Sequence, residues 1–179
     1  MLIKWNQAEN MLSNLICHLY GLGNHGNILV AHMGNVALKD ALTTLSFEFS
    51  DDVFRDHITH YLAYFDRVRE WRNYYVHGIL IEAEVAGERG GYIQQMQARG
   101  KLAVTQQFVS VADVNRVTEM CETLRAYGGW INLEPHRRDP TIDFLKDQPP
   151  LASRDKPPLP DRLTKPRAYL LDGRHRPQS

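Results

Sequence analysis

The first 134 residues of this 179-residue chain contain no proline; all nine prolines fall between Pro135 and Pro177. Long helices are therefore unobstructed up to that point, because proline is the residue that breaks them most surely. Cysteine is nearly as scarce. Cys17 and Cys121 stand far apart without ligand-type spacing, which argues against a disulfide scaffold and for two small buried thiols in a reducing compartment. No apolar run approaches the roughly 18 residues that a membrane span needs. The opening stretch MLIKWNQAENMLSNLICHLYG mixes apolar and polar residues at helical spacing and is followed by no small-residue cleavage site, so a signal peptide is not expected either. These absences point to a cytoplasmic protein without a membrane partner. Net charge is missing too, with 21 basic and 21 acidic side chains, so total charge gives no support to nucleic-acid binding.

The charge that is present is unevenly spread. Residues 1–134 hold 11 basic and 15 acidic side chains, a net of −4, and residues 135–179 hold 10 and 6, a net of +4. With the proline boundary this divides the chain into a helical domain, 1–134, and a Pro/Arg-rich C-terminal tail, 135–179. A hydrophobic content of 43% and a charged content of 23% suit a soluble globular protein with one core.

Apolar periodicity predicts a first helix over 5–20, through Trp5, Ala8, Leu12, Leu15 or Ile16, and Leu19. GLGNHGN then breaks it. A second helix is expected from about Ile28 to Phe47. The SDD at 50–52 supplies an N-cap and acidic first-turn residues for a third, which runs to about His77 with Gly78 after it. The runs ILIEAEV, YIQQMQA and LAVTQQFV, separated by AGERGG and RGK, predict an antiparallel meander over about 79–108. SVAD at 110–113 is a capping box with Asp in the Glu position. It opens a fourth helix, which GG at 128–129 is expected to stop near Tyr127. The fold class is mainly α: an up-and-down four-helix bundle, a small antiparallel β insertion between helices 3 and 4, and an extended C-terminal tail. That tail is expected to be a weakly ordered arm. Its PPLP could occupy a polyproline groove, and its basic residues could meet RNA phosphates or wrap a partner subunit.

The third helix carries the chemistry. At 100° per residue, Tyr61, Tyr64, Val68, Trp71 and Tyr75 form one aromatic-apolar stripe, and Asp66, Glu70, Asn73 and His77 form a second on roughly the opposite face. Arg69 neighbours Asn73 by i,i+4, and Arg72 flanks the polar stripe. Histidine moves a proton near neutrality. Arginine holds its charge and offers a fork that matches phosphate oxygens, and asparagine can orient either. Such a set suits phosphodiester cleavage through a ribose 2′-hydroxyl, with no metal or other cofactor required.

RNYYVH, Arg72 to His77, resembles the R-x4-6-H motif of the HEPN superfamily, small helical proteins that include many metal-independent ribonucleases. A polar residue often follows the arginine there, as Asn73 does here. The motif lies late in a long helix of an up-and-down four-helix bundle, often elaborated before its last helix. The resemblance implies catalytic roles for Arg72, Asn73 and His77, with Arg69, Glu70 and Asp66 on the substrate-binding face. It also implies RNA as partner and a homodimer whose motif faces meet across a composite cleft. RDHITH, Arg55 to His60, has the same spacing but sits in the helix's first turns, where surface residues are expected. Ile79 stands where HEPN toxins silenced by a nucleotidyltransferase often carry a tyrosine, which sets this chain apart from that branch.

His18, His25 and His32 fall seven apart, but GLGNHGN interrupts the helix that would align them as metal ligands. GLGNHG matches the dinucleotide fingerprint only literally, because it follows a helix rather than a strand. Two readings result. One is a HEPN-like endoribonuclease, in stress response or defence. The other is a non-catalytic helical dimerisation or binding module that holds a protein partner in the cleft or on the tail.

Overall fold

The computed structural model describes residues 1–48, 51–98, 102–138, 142, 145, 147–164 and 169–170. Among the described residues are five α-helices: α1 Leu2–Leu19, α2 Gly23–Val30, α3 Asn35–Glu48, α4 Asp52–Val76 and α5 Val111–Leu133. Between α4 and α5 lies an antiparallel sheet of β1 Ile79–Val85, β2 Glu88–Ala98 and β3 Leu102–Ser110, to which the two-residue β4 Tyr169–Leu170 is added beside β3. The chain is thus mainly helical with a small sheet inserted before the last helix. Among the described residues no helix is long and apolar enough to cross a membrane.

Each long helix starts where local chemistry dictates. Asp51 accepts hydrogen bonds from the backbone N–H groups of Val53 and Phe54 and so caps α4. Ser110 and Asp113 cap α5 reciprocally, the expected box. The β1–β2 hairpin closes in two residues, Ala86 and Gly87, both at positive φ (52° and 80°), a conformation that matches the twist of the flanking strands. The register pairs Ile81 with Tyr92 and Tyr92 with Phe108. Strand order β1-β2-β3-β4 leaves β1 at one edge, with Glu82 and Glu84 along it.

α1 packs on α5 and α3, and α4 packs on α5 and α3. Trp5, Leu12, Leu15, Leu42, Ile58, Tyr61, Phe65, Leu124 and Ile131 are fully buried between them. Burying side chains of this size contributes about 1.5–3 kcal/mol each. A second, small cluster of Tyr74, Ile93 and Val109 joins the sheet to the end of α4.

Three expectations are corrected. The second helix is not continuous from Ile28 to Phe47: α2 begins inside GLGNHGN, and the break falls between Val30 and Asn35. Gly26 is used for close approach rather than as a breaker, since a Cβ there would lie 2.8 Å from Cys17 Sγ. Nor does GG at 128–129 stop the last helix, which continues to Leu133. A Cβ on Gly128 would lie 2.5 Å from Met11 Cγ and 2.9 Å from Tyr61 Cε2, so this glycine admits the Tyr61 ring between α4 and α5. Finally, the tail is no loose arm over its described middle. Leu145 and Leu151 are buried, a short 3₁₀ turn spans Leu151–Ser153, and residues 154–164 lie extended against α4 and α5.

The two tyrosines at the α4–α5 contact make opposite predictions. The Tyr61 hydroxyl is wholly buried with no hydrogen-bond partner among the described residues, whereas the Tyr127 hydroxyl bonds His57 twice. Tyr61→Phe should leave the thermal midpoint unchanged or raise it. Tyr127→Phe should lower stability by about 1–2 kcal/mol, or roughly 2–8 °C. Parallel melting curves of the two variants check this.

Candidate functional site

The C-terminal turn of α4 is fixed by the sheet. Gly78 follows the helix, and a Cβ there would lie 2.1 Å from Ile93 Cγ2, so β2 packs on the helix end only because residue 78 has no side chain. Gln95 on β2 donates from Nε2 to the Tyr74 carbonyl at 2.9 Å, satisfying one of the acceptors a helix end leaves open. The Tyr74 hydroxyl donates to Gln107 Oε1 on β3 at 3.0 Å. The last backbone bond runs from His77 N–H to the Asn73 carbonyl at 3.1 Å. The segment RNYYVH is therefore held in place from the sheet side.

The two stripes fall largely as the periodicity implies. Tyr61, Tyr64 and Val68 are buried, and Trp71 and Tyr75 pack half-buried against the core. On the other face Glu70, Asn73 and His77 are exposed, while Asp66 is half-buried. Asp66 accepts a hydrogen bond from Lys39 of α3 and forms an ion pair with Arg69 at 3.2 Å. Arg69 thus turns to Asp66 rather than to Asn73, and shares that one carboxylate with Lys39.

Arg72 is half-buried, its guanidinium carbon 5.6 Å from the centre of the Trp5 ring. Nη1 donates to Asn73 Oδ1 at 2.9 Å, and Nε is buried with no partner among the described residues. One end of this side chain is thus packed on the core while the other orients Asn73. Asn73 lines an open groove of about 500 Å³ with Glu70, Tyr74, Gln95, Arg162 and Leu163. Neither Arg72 nor His77 lines it: Arg72 reaches it through Asn73, and His77 stands exposed at the helix end.

The second Arg–His spacing is not the bare surface it was expected to be. Arg55 pairs with Asp52 at 2.8 Å. His57 is buried, and His60 lies 2.8 Å through Nε2 from the Pro157 carbonyl. His57 faces Tyr127 of α5 and His60 faces the tail, neighbours that local spacing does not reveal. His57 Nδ1 lies 2.8 Å from the Tyr127 hydroxyl, which itself donates to the His57 carbonyl. The ring nitrogen is therefore the donor, so Nδ1 carries a hydrogen. Burial lowers the His57 pKa, as do the Lys156 and His60 charges, while Asp56 and Glu134 oppose them.

His18 lies 2.6 Å through Nδ1 from Asn132 Oδ1 and meets His136 edge-on. Among the described residues no group of three or more His, Cys, Asp or Glu side chains converges as a metal site would require. Both cysteines are free and buried, and desolvation pushes the Cys121 thiol up to about 11. Sequence reasoning missed Gln95 and Arg162 as groove residues. Neither carries a local signal, since each reaches α4 only through tertiary packing.

Comparison of the chain with protein-family models, with curated proteins and with solved structures returns no match.

Because the folded-state pKa of His57 lies below its unfolded value near 6.5, the unfolded chain binds the extra proton. The stability from keeping this ring neutral is complete above about pH 6.5 and is lost as pH falls toward the depressed value. Denaturant midpoints should drop between pH 7.5 and pH 5. His57→Gln, which keeps a donor for Tyr127 and does not titrate, should flatten that dependence.

Proposed function

We propose that the chain is a HEPN-like, metal-independent endoribonuclease: an up-and-down four-helix bundle of α1, α3, α4 and α5 that acts as a homodimer through the motif face of α4. The observation that carries this reading is the Arg72–Asn73 hydrogen bond of 2.9 Å, which sets an amide at the rim of an open polar groove one turn before exposed His77. In that role His77 takes the proton from a ribose 2′-hydroxyl or gives one to the leaving 5′-oxygen. The positive charge of Arg72 stabilises the phosphoryl oxygens as negative charge builds on them, and Asn73 fixes the phosphate or the attacking sugar. Glu70 lies on the substrate side of the groove, and Asp66 and Arg69 hold α4 to α3 through Lys39. The reaction needs the 2′-hydroxyl, so DNA is not cut. A cytoplasmic role in stress response or defence fits such an activity.

A second reading has one observation in its favour. Arg72 lies half-buried over Trp5, its Nε without a partner among the described residues, as a packing arginine of a non-catalytic dimerisation or binding module would. The C-terminal tail would then serve a protein partner.

The deciding measurement is cleavage of labelled single-stranded RNA in EDTA. His77→Ala should lower the rate about 10²–10⁴-fold without moving the melting temperature, because the side chain is exposed. Arg72→Lys should lower it while keeping the charge over Trp5. His32→Ala, exposed in the α2–α3 connection, should cut like the wild type. His60 is unsuitable as a control because it bonds Pro157. If no RNA is cut, or all variants cut equally, the ribonuclease reading gives way to the binding module.

A further inference from the structure

We infer that the C-terminal strap, residues 154–164, is part of the site, and that Arg162 is a binding residue for a phosphate of single-stranded RNA. This rests on the ribonuclease reading. The strap follows α4 in the same direction. Lys156 pairs with Asp56, the Pro157 carbonyl lies 2.8 Å from His60 Nε2, and the Asp161 carbonyl accepts from Trp71 Nε1 at 2.9 Å. From Pro157 to Asp161 the strap takes four steps, about 12 Å of extended chain, while His60 to Trp71 rises about 16 Å, a difference the reach of the two side chains spans, so the strap runs with the helix toward its C-terminal end. Pro160 is buried between these anchors, and Asp161 is also held by Arg116 of α5 at 3.1 Å. The next residues, Arg162 and Leu163, are thereby delivered to the groove that Asn73 and Glu70 line.

Among the described residues no carboxylate is paired with the Arg162 guanidinium. Its neighbour Asp161 is neutralised by Arg116. On α4, the Arg69 side chain is turned away to Asp66, which Lys39 also contacts, and the Arg72 fork is turned to Asn73. Arg162 is exposed, and among the described residues no ion pair joins it to Glu70 across the groove. A planar fork of donors at the open side of a groove suits a phosphate diester, which can accept two parallel bonds. The backbone is the part of RNA that is the same at every nucleotide, so this contact adds affinity without sequence preference. The chain's neutral total charge is no obstacle, because the residue that matters is placed by the strap rather than by a basic face.

The test is binding of a fluorescein-labelled eight-nucleotide single-stranded RNA, followed by anisotropy in the non-cutting His77→Ala background. Adding Arg162→Ala should weaken binding about tenfold, as expected when one charge-assisted hydrogen bond is removed. It should also reduce the slope of log affinity against log salt by about 0.7, because one phosphate fewer is neutralised. Arg162→Lys should retain most of the slope, and the melting temperature should stay unchanged in both. Equal binding by Arg162→Ala and its parent overturns the inference but leaves the ribonuclease reading standing if the wild type still cuts RNA. Tighter binding by Arg162→Ala also overturns it, because the strap would then obstruct the site. Absence of RNA binding by the parent and of cutting by the wild type removes both.

Discussion

The structure depends on covering α4. At 25 residues it is the longest helix among the described residues, and its buried side chains, from Phe54 through Tyr61, Phe65 and Val68 to Tyr74, do not fit one narrow stripe. Helices α3 and α5 cover part of its girth. The sheet covers its last turn through Ile93 and Gln95, and the strap covers His60 and Trp71. An aromatic-rich helix with fewer neighbours would leave a large apolar surface in water. The inserted sheet and the proline-rich segment thus answer the same demand at two places along one helix.

That demand explains which parts of the fold were legible in the sequence. Periodicity located α1, α4 and α5, and the cap residues Asp51 and Ser110 placed two of the starts, because these signals are local. The β meander was legible from its alternation and its glycines. Glycine was misread where its role is tertiary: Gly26 and Gly128 look like breakers in one dimension but are points of close approach between helices in three. The strap was misread for a related reason. Its prolines remove backbone donors and suggest an unsupported arm, yet its carbonyls at Pro157 and Asp161 accept from side chains of α4. Nothing in RDKPPLPDR announces which helix it will lie on. At the candidate site the exposed positions of Glu70, Asn73 and His77 were legible from the stripe. The Asp66–Lys39 pair and the packing of Arg72 on Trp5 were not, since both depend on neighbours from other helices.

Charge is used sparingly and mostly at the surface. Lys4 with Glu122 and Arg116 with Asp161 are exposed pairs, of a kind worth about 0–1 kcal/mol each. They set register more than they supply stability. One buried titratable ring is His57, packed against Tyr127, whose hydroxyl meets its Nδ1 and donates to its backbone carbonyl. The same flank of α4 is where the strap begins its path, with Lys156 on Asp56 and the Pro157 carbonyl on His60.

The exposed edge of the sheet has a consequence for assembly. Among the described residues β1 has no strand on its outer side, and an open edge is a ready template for pairing with another chain. Glu82 and Glu84 lie along it, and Glu88 follows just past the turn. Two copies brought edge to edge would set carboxylates of like sign against one another, an arrangement that disfavours the ladder. The acidic edge acts as a guard against runaway strand addition.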